Sequence, residues 1–312
     1  MDFTREICSI LDDAAVPYTV ETTCGHEAIF IRKQSAGIAT EEMLSAVIIP
    51  ASIKTLDMET ATGEAESLQS AISQIAAQSG IYPLTIAEDR WRSQHEMMRS
   101  RMLAHLRIFT QIYARNCEVR KIDKATAAGF LDKNHSYGDA QCRYRYGLYL
   151  KRHTGHNARM STGGKETCNI TPGTLVAVAT FSNARKWIKG DKTIKSYEWT
   201  RYASLPGVRL SGGMGKLLNT FIEEVNPDDI MTYADLEWSE GKVYEALGFV
   251  LEGFKEPIVF HVDQTWRRFP VKQASTECPS LPEGVSLPKT SGNLYYKNLG
   301  SNKYRLKLTD YQ

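Results

Sequence analysis

The chain has 312 residues, of which 42% are hydrophobic and 24% are charged, and its formal net charge is +2 at pH 7. This length predicts two domains of a soluble globular protein. No apolar run reaches the ~18 residues that span a bilayer, and the N-terminus lacks the basic start of a signal peptide, so we expect a cytoplasmic protein without a membrane segment. The six cysteines form no CxxC pair, which argues against a structural zinc site.

The first third of the chain predicts an α/β domain. Apolar residues at helical spacing favour a helix over residues 2–13, and three segments rich in β-branched residues follow it. A helix over 59–79, a strand over 82–87 and a helix over 92–107 complete the pattern. We therefore assign residues 1–114 to a small N-terminal α/β domain.

The following elements predict a second α/β domain with a mixed sheet, over residues 115–264. We expect helices over 125–133, 214–225 and 239–247, and strands over 117–122, 143–150, 175–181, 197–203, 229–234 and 249–262. The rest of the chain, residues 265–312, predicts a Pro/Ser-rich linker followed by a β-hairpin. The fold class is accordingly α/β, with an α+β mixed sheet.

Basic residues are concentrated in the middle of the chain. Residues 1–89 carry 4 basic and 14 acidic side chains, whereas residues 143–216 carry 14 basic and 3 acidic ones. Aromatic and basic residues also alternate at 143–146, 185–187 and 199–202, as in surfaces that bind unpaired bases. A phosphate-rich partner such as DNA would suit this charge, and a solvated basic face without a ligand is the alternative.

A glycine-rich turn precedes the clearest amphipathic helix. The turn consists of Arg209, Gly212, Gly213, Gly215 and Lys216, and it lies between a predicted strand and the helix. Backbone N–H groups at a helix N-terminus attract phosphate, and glycine allows close approach. These residues are our candidates for cofactor binding, although glycines also serve simply to pack a helix tightly.

Three further residues are candidates for catalysis. Asp235 follows a predicted strand and Tyr244 lies in the next helix, so both could face a cleft where neighbouring strands separate. A capping role for Asp235 and a core role for Tyr244 are the alternatives. His135 lies in the polar segment Asn-His-Ser-Tyr-Gly, where an imidazole can act as a base, although a lone histidine is more often structural.

The order of elements over residues 117–262 resembles the acyl-CoA N-acyltransferase (GNAT) fold. The segment KVYEALGFVLEG is similar to the closing YEKLGF signature of that family. The family holds the pyrophosphate of coenzyme A with an R/Q-x-x-G-x-G/A loop. Arg209 and Gly212 match this loop, whereas Met214 occupies its last position. The resemblance implies acetyl-CoA or a related acyl-CoA as the cofactor.

A narrower resemblance covers both domains. The segments IYARNCEVRKI, GFLDKNHSYG, SGGMGKLLNTFI and TYADLEWSEGKVYEALGF are similar to the C-terminal part of phage Hef-type homing endonucleases. The histidine after the first helix of this region and the pattern ADxxW…GxxYxA also resemble the phage DNA-modification enzyme Mom, which implies His135, Asp235 and Tyr244 as the catalytic group. In Hef-type proteins the N-terminal part is a nuclease of the very-short-patch-repair type, and LTIAEDRW resembles its final strand.

These observations lead to one expected function and three alternatives. We expect a DNA-acting GNAT-like transferase of phage or mobile-element type that modifies an exocyclic base amine. A divalent-metal-dependent homing-type endonuclease is the first alternative, with Glu27, Asp57 and Glu59 as candidate metal ligands in a domain that otherwise looks degenerate. A non-catalytic DNA-binding module and a small-molecule or protein N-acetyltransferase are the others.

Overall fold

The structure is a computed structural model that describes residues 2–34, 42–152, 170–271 and 294–311. These residues form seven α-helices and seventeen strands in several mixed sheets, which confirms the predicted α/β class. The chain divides into two compact units. The first unit consists of Met1–Ser93, Asp235–Ser239 and Lys255–Ser301, and the second of Gln94–Ala234, Glu240–Phe254 and Asn302–Gln312.

The first unit begins with a four-stranded sheet, counted over the described residues. Its elements are α1 (Phe3–Asp13), β1 (Tyr18–Thr23), β2 (His26–Gln34), β3 (Glu42–Ala51), α2 (Met58–Ser79), β4 (Leu84–Ala87) and α3 (Glu88–Ser93). Strands β1, β2 and β3 are antiparallel neighbours, and β4 pairs parallel to β3. Helix α2 packs Leu68, Ile72 and Ile75 into the core, as their spacing of four and three residues requires.

The elements of the second unit follow along the chain. They are α4 (His95–His105), β5 (Thr110–Tyr113), β6 (Cys117–Lys121), α5 (Lys124–Asn134), β7 (Tyr144–Leu150), β8 (Leu175–Phe181), β9 (Arg185–Lys189), β10 (Lys192–Ser204), β11 (Val208–Ser211), α6 (Gly213–Val225), β12 (Asp229–Asp235), α7 (Lys242–Glu245) and β13 (Val250–Lys255). None of the helices in the described part of the chain is long and apolar enough to cross a bilayer.

The last four strands belong to different units. Strands β14 (Val259–Val262), β15 (Arg268–Pro270) and β16 (Leu294–Lys297) form a three-stranded sheet of the first unit. Strand β17 (Ser301–Lys307) joins the main sheet of the second unit, between β13 and β12. The predicted C-terminal hairpin is therefore wrong, because β16 finds its partner in β14 rather than in β17. Most of the predicted linker lies outside the described residues.

The main sheet of the second unit has the strand order β13-β17-β12-β10-β8-β7-β6, with β9 paired to β10. Helix α6 packs on the sheet through Phe221, whose ring stacks on Phe181 with centroids 3.9 Å apart. Helix α5 packs on Val178 and Ala203 through Ala127 and Leu131 in a separate cluster. Successive side chains of a strand point to opposite faces of the sheet, and this alternation provides separate packing surfaces for the two helices.

Other differences from the predicted elements are local. The helix expected over 92–107 is divided at Gln94 into α3 and α4, and the helix expected over 239–247 is reduced to the four residues of α7. The unit boundaries also differ from the predicted ones at 114 and 264. The reason is that residues 235–239, together with residues 255–271 and 294–301, supply sheet and core partners to the first unit, and such long-range contacts leave no local trace in the sequence.

Candidate functional site

Two parallel strands separate in the middle of the second unit. Strand β10 pairs with β12 only at Ser196–Asp229, Tyr197–Ile230 and Glu198–Met231. Beyond this point β10 continues along β8, with a register shift between Trp199 and Arg201. The Thr232 hydroxyl donates a hydrogen bond to the Trp199 carbonyl oxygen at 3.1 Å where the ladder has ended. Diverging parallel strands of this kind create a crevice that often holds a ligand.

Tyr244 lies next to this separation. Its ring contacts the rings of Trp199, Phe249 and Tyr304, with centroid distances of 6.1, 5.8 and 5.7 Å. Burial raises the pKa of Tyr244, while Thr232 and the charge of Arg101 act in the opposite direction. The phenol therefore stays protonated at neutral pH, which is the state required of a proton donor.

The glycines before α6 are largely explained by the fold itself. Gly212 has φ +76°, a conformation that favours glycine, and it immediately precedes the helix. A Cβ at Gly213 would lie 2.4 Å from the Leu210 side chain, and one at Gly215 would lie 3.4 Å from Leu247. The tight packing of this helix therefore accounts for Gly213 without any ligand.

The start of α6 nonetheless retains donors for an anion. Its first internal backbone hydrogen bond runs from the Lys216 N–H to the Gly212 carbonyl at 3.0 Å, so the N–H groups of residues 213–215 lie before the ladder. The Lys216 ammonium donates to the carbonyl oxygens of Ala114 and Cys117 at 3.0 and 2.6 Å. Lys216 is thus held by backbone, whereas Arg209 is exposed and stacks on Phe109 at 5.3 Å.

His135 begins a loop that several side chains hold in place. Its Nδ1 accepts the N–H of Tyr137 at 3.1 Å. Gln94 donates to the Ser136 carbonyl at 3.0 Å, and Asp132 accepts the N–H of Asp139 at 2.8 Å. These three hydrogen bonds fix the conformation of the loop backbone, as a binding loop requires.

Two arginines complete the surroundings of this loop. Arg101 donates to the Ser136 hydroxyl at 3.3 Å, and its charge also acts on Tyr244. Arg201 donates to the Gly138 carbonyl at 3.1 Å and lies 5.8 Å from the ring centroid of Tyr137. The Tyr137 ring remains 43% exposed. The structure therefore associates the His135 loop with Tyr244 through Arg101, a connection that sequence reasoning missed because α4 offered no motif.

Asp235 belongs to the first unit, in a buried ionic cluster. Its Oδ2 lies 3.3 Å from Arg90 Nη1, and its Oδ1 accepts the N–H of Glu237 at 3.0 Å. Burial, together with the charge of Glu237, raises the pKa of Asp235. These contacts give Asp235 a structural role in its own unit, and its catalytic role stays a prediction.

The acids predicted as metal ligands do not converge. Asp57 caps α2 by accepting the Thr60 N–H at 2.8 Å, and Glu59 lies in the first turn of the same helix. Glu27 instead lines a cleft of about 550 Å³ in the first unit, together with His26, Lys54 and Glu64. Within the described residues no three His, Cys, Asp or Glu side chains are placed to hold a metal ion.

Comparison with known proteins gives no assignment. No protein-family model matches the chain, and no curated protein matches it significantly. The geometry of the second unit is therefore the basis for a functional proposal.

Proposed function

We propose that the second unit is an acyltransferase of the GNAT type that modifies an exocyclic amine of a DNA base in the cytoplasm. The observation that carries the proposal is the position of Tyr244, a protonated phenol beside the point where β10 and β12 separate. A crevice between parallel strands admits an extended acyl donor, and the adjacent phenol can protonate its leaving group.

The donor site is proposed at the start of α6. The N–H groups of residues 213–215 and the exposed guanidinium of Arg209 fit the pyrophosphate of an acyl-CoA, because both favour a negative charge. Gly213 and Lys216 contribute to this site indirectly, by packing and by anchoring the helix. The fit therefore rests on backbone donors and one arginine rather than on the whole glycine motif.

The reaction requires two proton transfers. The base nitrogen attacks the thioester carbonyl, so that a C–N bond forms and the C–S bond breaks. His135 accepts the proton that the amine loses, and Tyr244 donates one to the departing thiolate. An exocyclic amine is a poor nucleophile because its lone pair is delocalised, so positioning supplies much of the acceleration. The exposed ring of Tyr137 provides a surface on which a flipped base can stack.

Mass spectrometry of nucleosides provides the test. Plasmid DNA is incubated with the protein and acetyl-CoA, digested to nucleosides and searched for a mass increase of one acetyl group on deoxyadenosine, deoxycytidine or deoxyguanosine. We expect the modification with the wild-type protein and a loss of at least about 100-fold with Tyr244→Phe. Acetyl transfer to small amines at the same rate without DNA would contradict the proposed substrate, and Mg²⁺-dependent cleavage of the plasmid would favour the endonuclease alternative.

A further inference from the structure

Strand β9 and the first part of β10 form a two-stranded ribbon that we call the basic hairpin, residues 185–195. Lys189 pairs with Lys192 across a two-residue turn of Gly190 and Asp191, and Gly190 has φ +58°. A glycine with positive φ at the first turn position is typical of tight hairpins. Among the described residues, β9 has no strand neighbour other than β10.

The charge of the basic hairpin is unbalanced. Arg185, Lys186, Lys192 and Lys195 are exposed, and Asp191 is the one acid between them. None of these four cations forms an ion pair with another described residue. Lys192 instead donates to the backbone carbonyl of Asp310 at 3.1 Å. The positive charge of the ribbon is therefore available to a partner.

The pairing register places like charges against each other. Lys186 lies directly opposite Lys195. Like charges at opposed positions destabilise an antiparallel pair. A hairpin that carries such a pair gains stability when an anion lies over it, because the anion reduces the repulsion.

Apolar side chains at the tip of the hairpin are also exposed. Trp187 is 50% exposed and Ile188 is 83% exposed, and they are neighbours in sequence and so face opposite sides of the ribbon. Exposed large apolar residues among cations are typical of a contact surface. Together with the charge, they indicate a partner that has phosphates on either side of an apolar surface.

We propose that the basic hairpin binds duplex DNA by inserting into the major groove. The major groove is about 12 Å wide and admits a two-stranded β-ribbon. The lysines would contact the phosphates on either side, and Ile188 would contact base edges such as the thymine methyl group. The choice of DNA rests on the proposed function. The hairpin adds a second surface, which binds the duplex at a distance from the base that reacts.

The test compares two variants of the full-length protein, one with three substitutions and one with two. Lys186→Gln/Lys192→Gln/Lys195→Gln removes three cations from the hairpin, and Lys124→Gln/Lys255→Gln removes two exposed lysines elsewhere as the control. Affinity for a fluorescent 20-base-pair duplex is measured by anisotropy from 50 to 300 mM KCl. We expect the hairpin variant to bind roughly 10- to 100-fold more weakly at 100 mM salt, with a salt slope smaller by about 2 to 3. The control should retain the wild-type slope within about 1.

Stability and competition measurements complete the experiment. The hairpin variant should melt at or above the wild-type temperature, because it removes lysine–lysine repulsion. Ile188→Asp should weaken duplex binding without changing the number of cations. An unchanged affinity of the triple variant would overturn the proposal, and so would equal or tighter binding to duplex RNA, whose major groove is too narrow for the ribbon. The two proposals can fail separately. If the protein binds DNA through the hairpin but transfers no acetyl group, only the proposed function is refuted. If the triple variant still transfers acetyl groups and binds duplex DNA with unchanged affinity, only this inference is refuted.

Discussion

The hydrogen bond from the Thr232 hydroxyl to the Trp199 carbonyl joins β12 to β10 immediately beyond their last backbone pair. Thr232 is 2% exposed, and it lowers the pKa of Tyr244 against the opposite effect of burial. The ring of Tyr244 packs against the ring of Trp199 with centroids 6.1 Å apart, so the phenol lies beside β10 where the strands separate. This arrangement positions a proton donor where the strands separate, and it gives the site its first test.

Tyr244→Phe removes the phenolic hydroxyl and retains the ring contacts with Trp199, Phe249 and Tyr304. We expect kcat for acetyl transfer to fall by at least about 100-fold, because general-acid assistance contributes that much or more. The melting temperature should fall by only a few degrees, since one hydrogen bond is worth about 1 kcal/mol. Steady-state rates and thermal unfolding measure the two effects. A purely structural tyrosine would show the opposite pattern, with stability lost and kcat retained.

His135 offers a test that separates catalysis from loop structure. His135→Ala removes both the base and the acceptor of the Tyr137 N–H, whereas His135→Asn supplies an amide oxygen in place of Nδ1. We expect both variants to lose transfer activity by at least about 100-fold, and only His135→Ala to increase amide hydrogen exchange in residues 134–139. Full activity of His135→Asn would remove the histidine from the reaction and leave it as a loop cap.

The local elements of the fold were predictable because their signals are local. Helix α6 forms where Leu217, Leu218 and Phe221 follow helical spacing, and all three are buried as the pattern predicts. Strand β9 was missed, although the Gly190-Asp191 pair between two lysine-rich segments is a hairpin signal. The prediction of a hairpin over residues 294–308 was wrong for the converse reason, since the strands on either side of Gly300 pair with distant segments.

The candidate site was less predictable because its residues acquire their roles from distant contacts. Lys216 follows a glycine turn that resembles a phosphate loop, yet its ammonium bonds to two carbonyls about a hundred residues earlier. Asp235 follows a strand as a catalytic acid would, but Arg90, 145 residues away, pairs with it. Sequence spacing cannot reveal such partners, which depend on how separate segments of the chain come together in the folded protein.

The ionic cluster of the first unit predicts a strong dependence on Arg268. Arg268 donates two hydrogen bonds to Asp89, at 2.5 and 2.6 Å, and also contacts Glu237 at 3.3 Å. Both acids are 1% exposed, so removing the guanidinium would leave them buried without their main partner. We expect Arg268→Met to destabilise the first unit by about 3 to 5 kcal/mol in urea unfolding.

A matched control for Arg268 is available on the surface. Lys303 pairs with Glu252, which is 37% exposed, and Lys303→Met should cost less than about 1 kcal/mol. Equal effects of the two substitutions would show that burial does not strengthen the dependence on Arg268.

Glu252 predicts how the second unit responds to acid. Hydrogen bonds from Arg305, at 2.6 and 3.0 Å, together with Lys303 lower the pKa of Glu252 from 4.5 to about 2. A carboxylate with a depressed folded-state pKa contributes stability above its unfolded pKa and loses it as the pH falls through the folded one. The stability difference between wild type and Glu252→Gln should therefore be greatest above pH 5 and vanish near pH 2.

The expected size of this difference is about 1 kcal/mol at most, because solvent screens a partly exposed pair. Urea midpoints at pH 6, 4.5, 3.5 and 2.5 measure it, and Glu256→Gln, which removes an exposed acid outside this network, serves as the control. Subtracting the variant from the wild type at each pH cancels the titration of all the other acids. A difference that stays constant from pH 6 to 2.5 would mean that the Glu252 carboxylate gains nothing from Arg305 and Lys303.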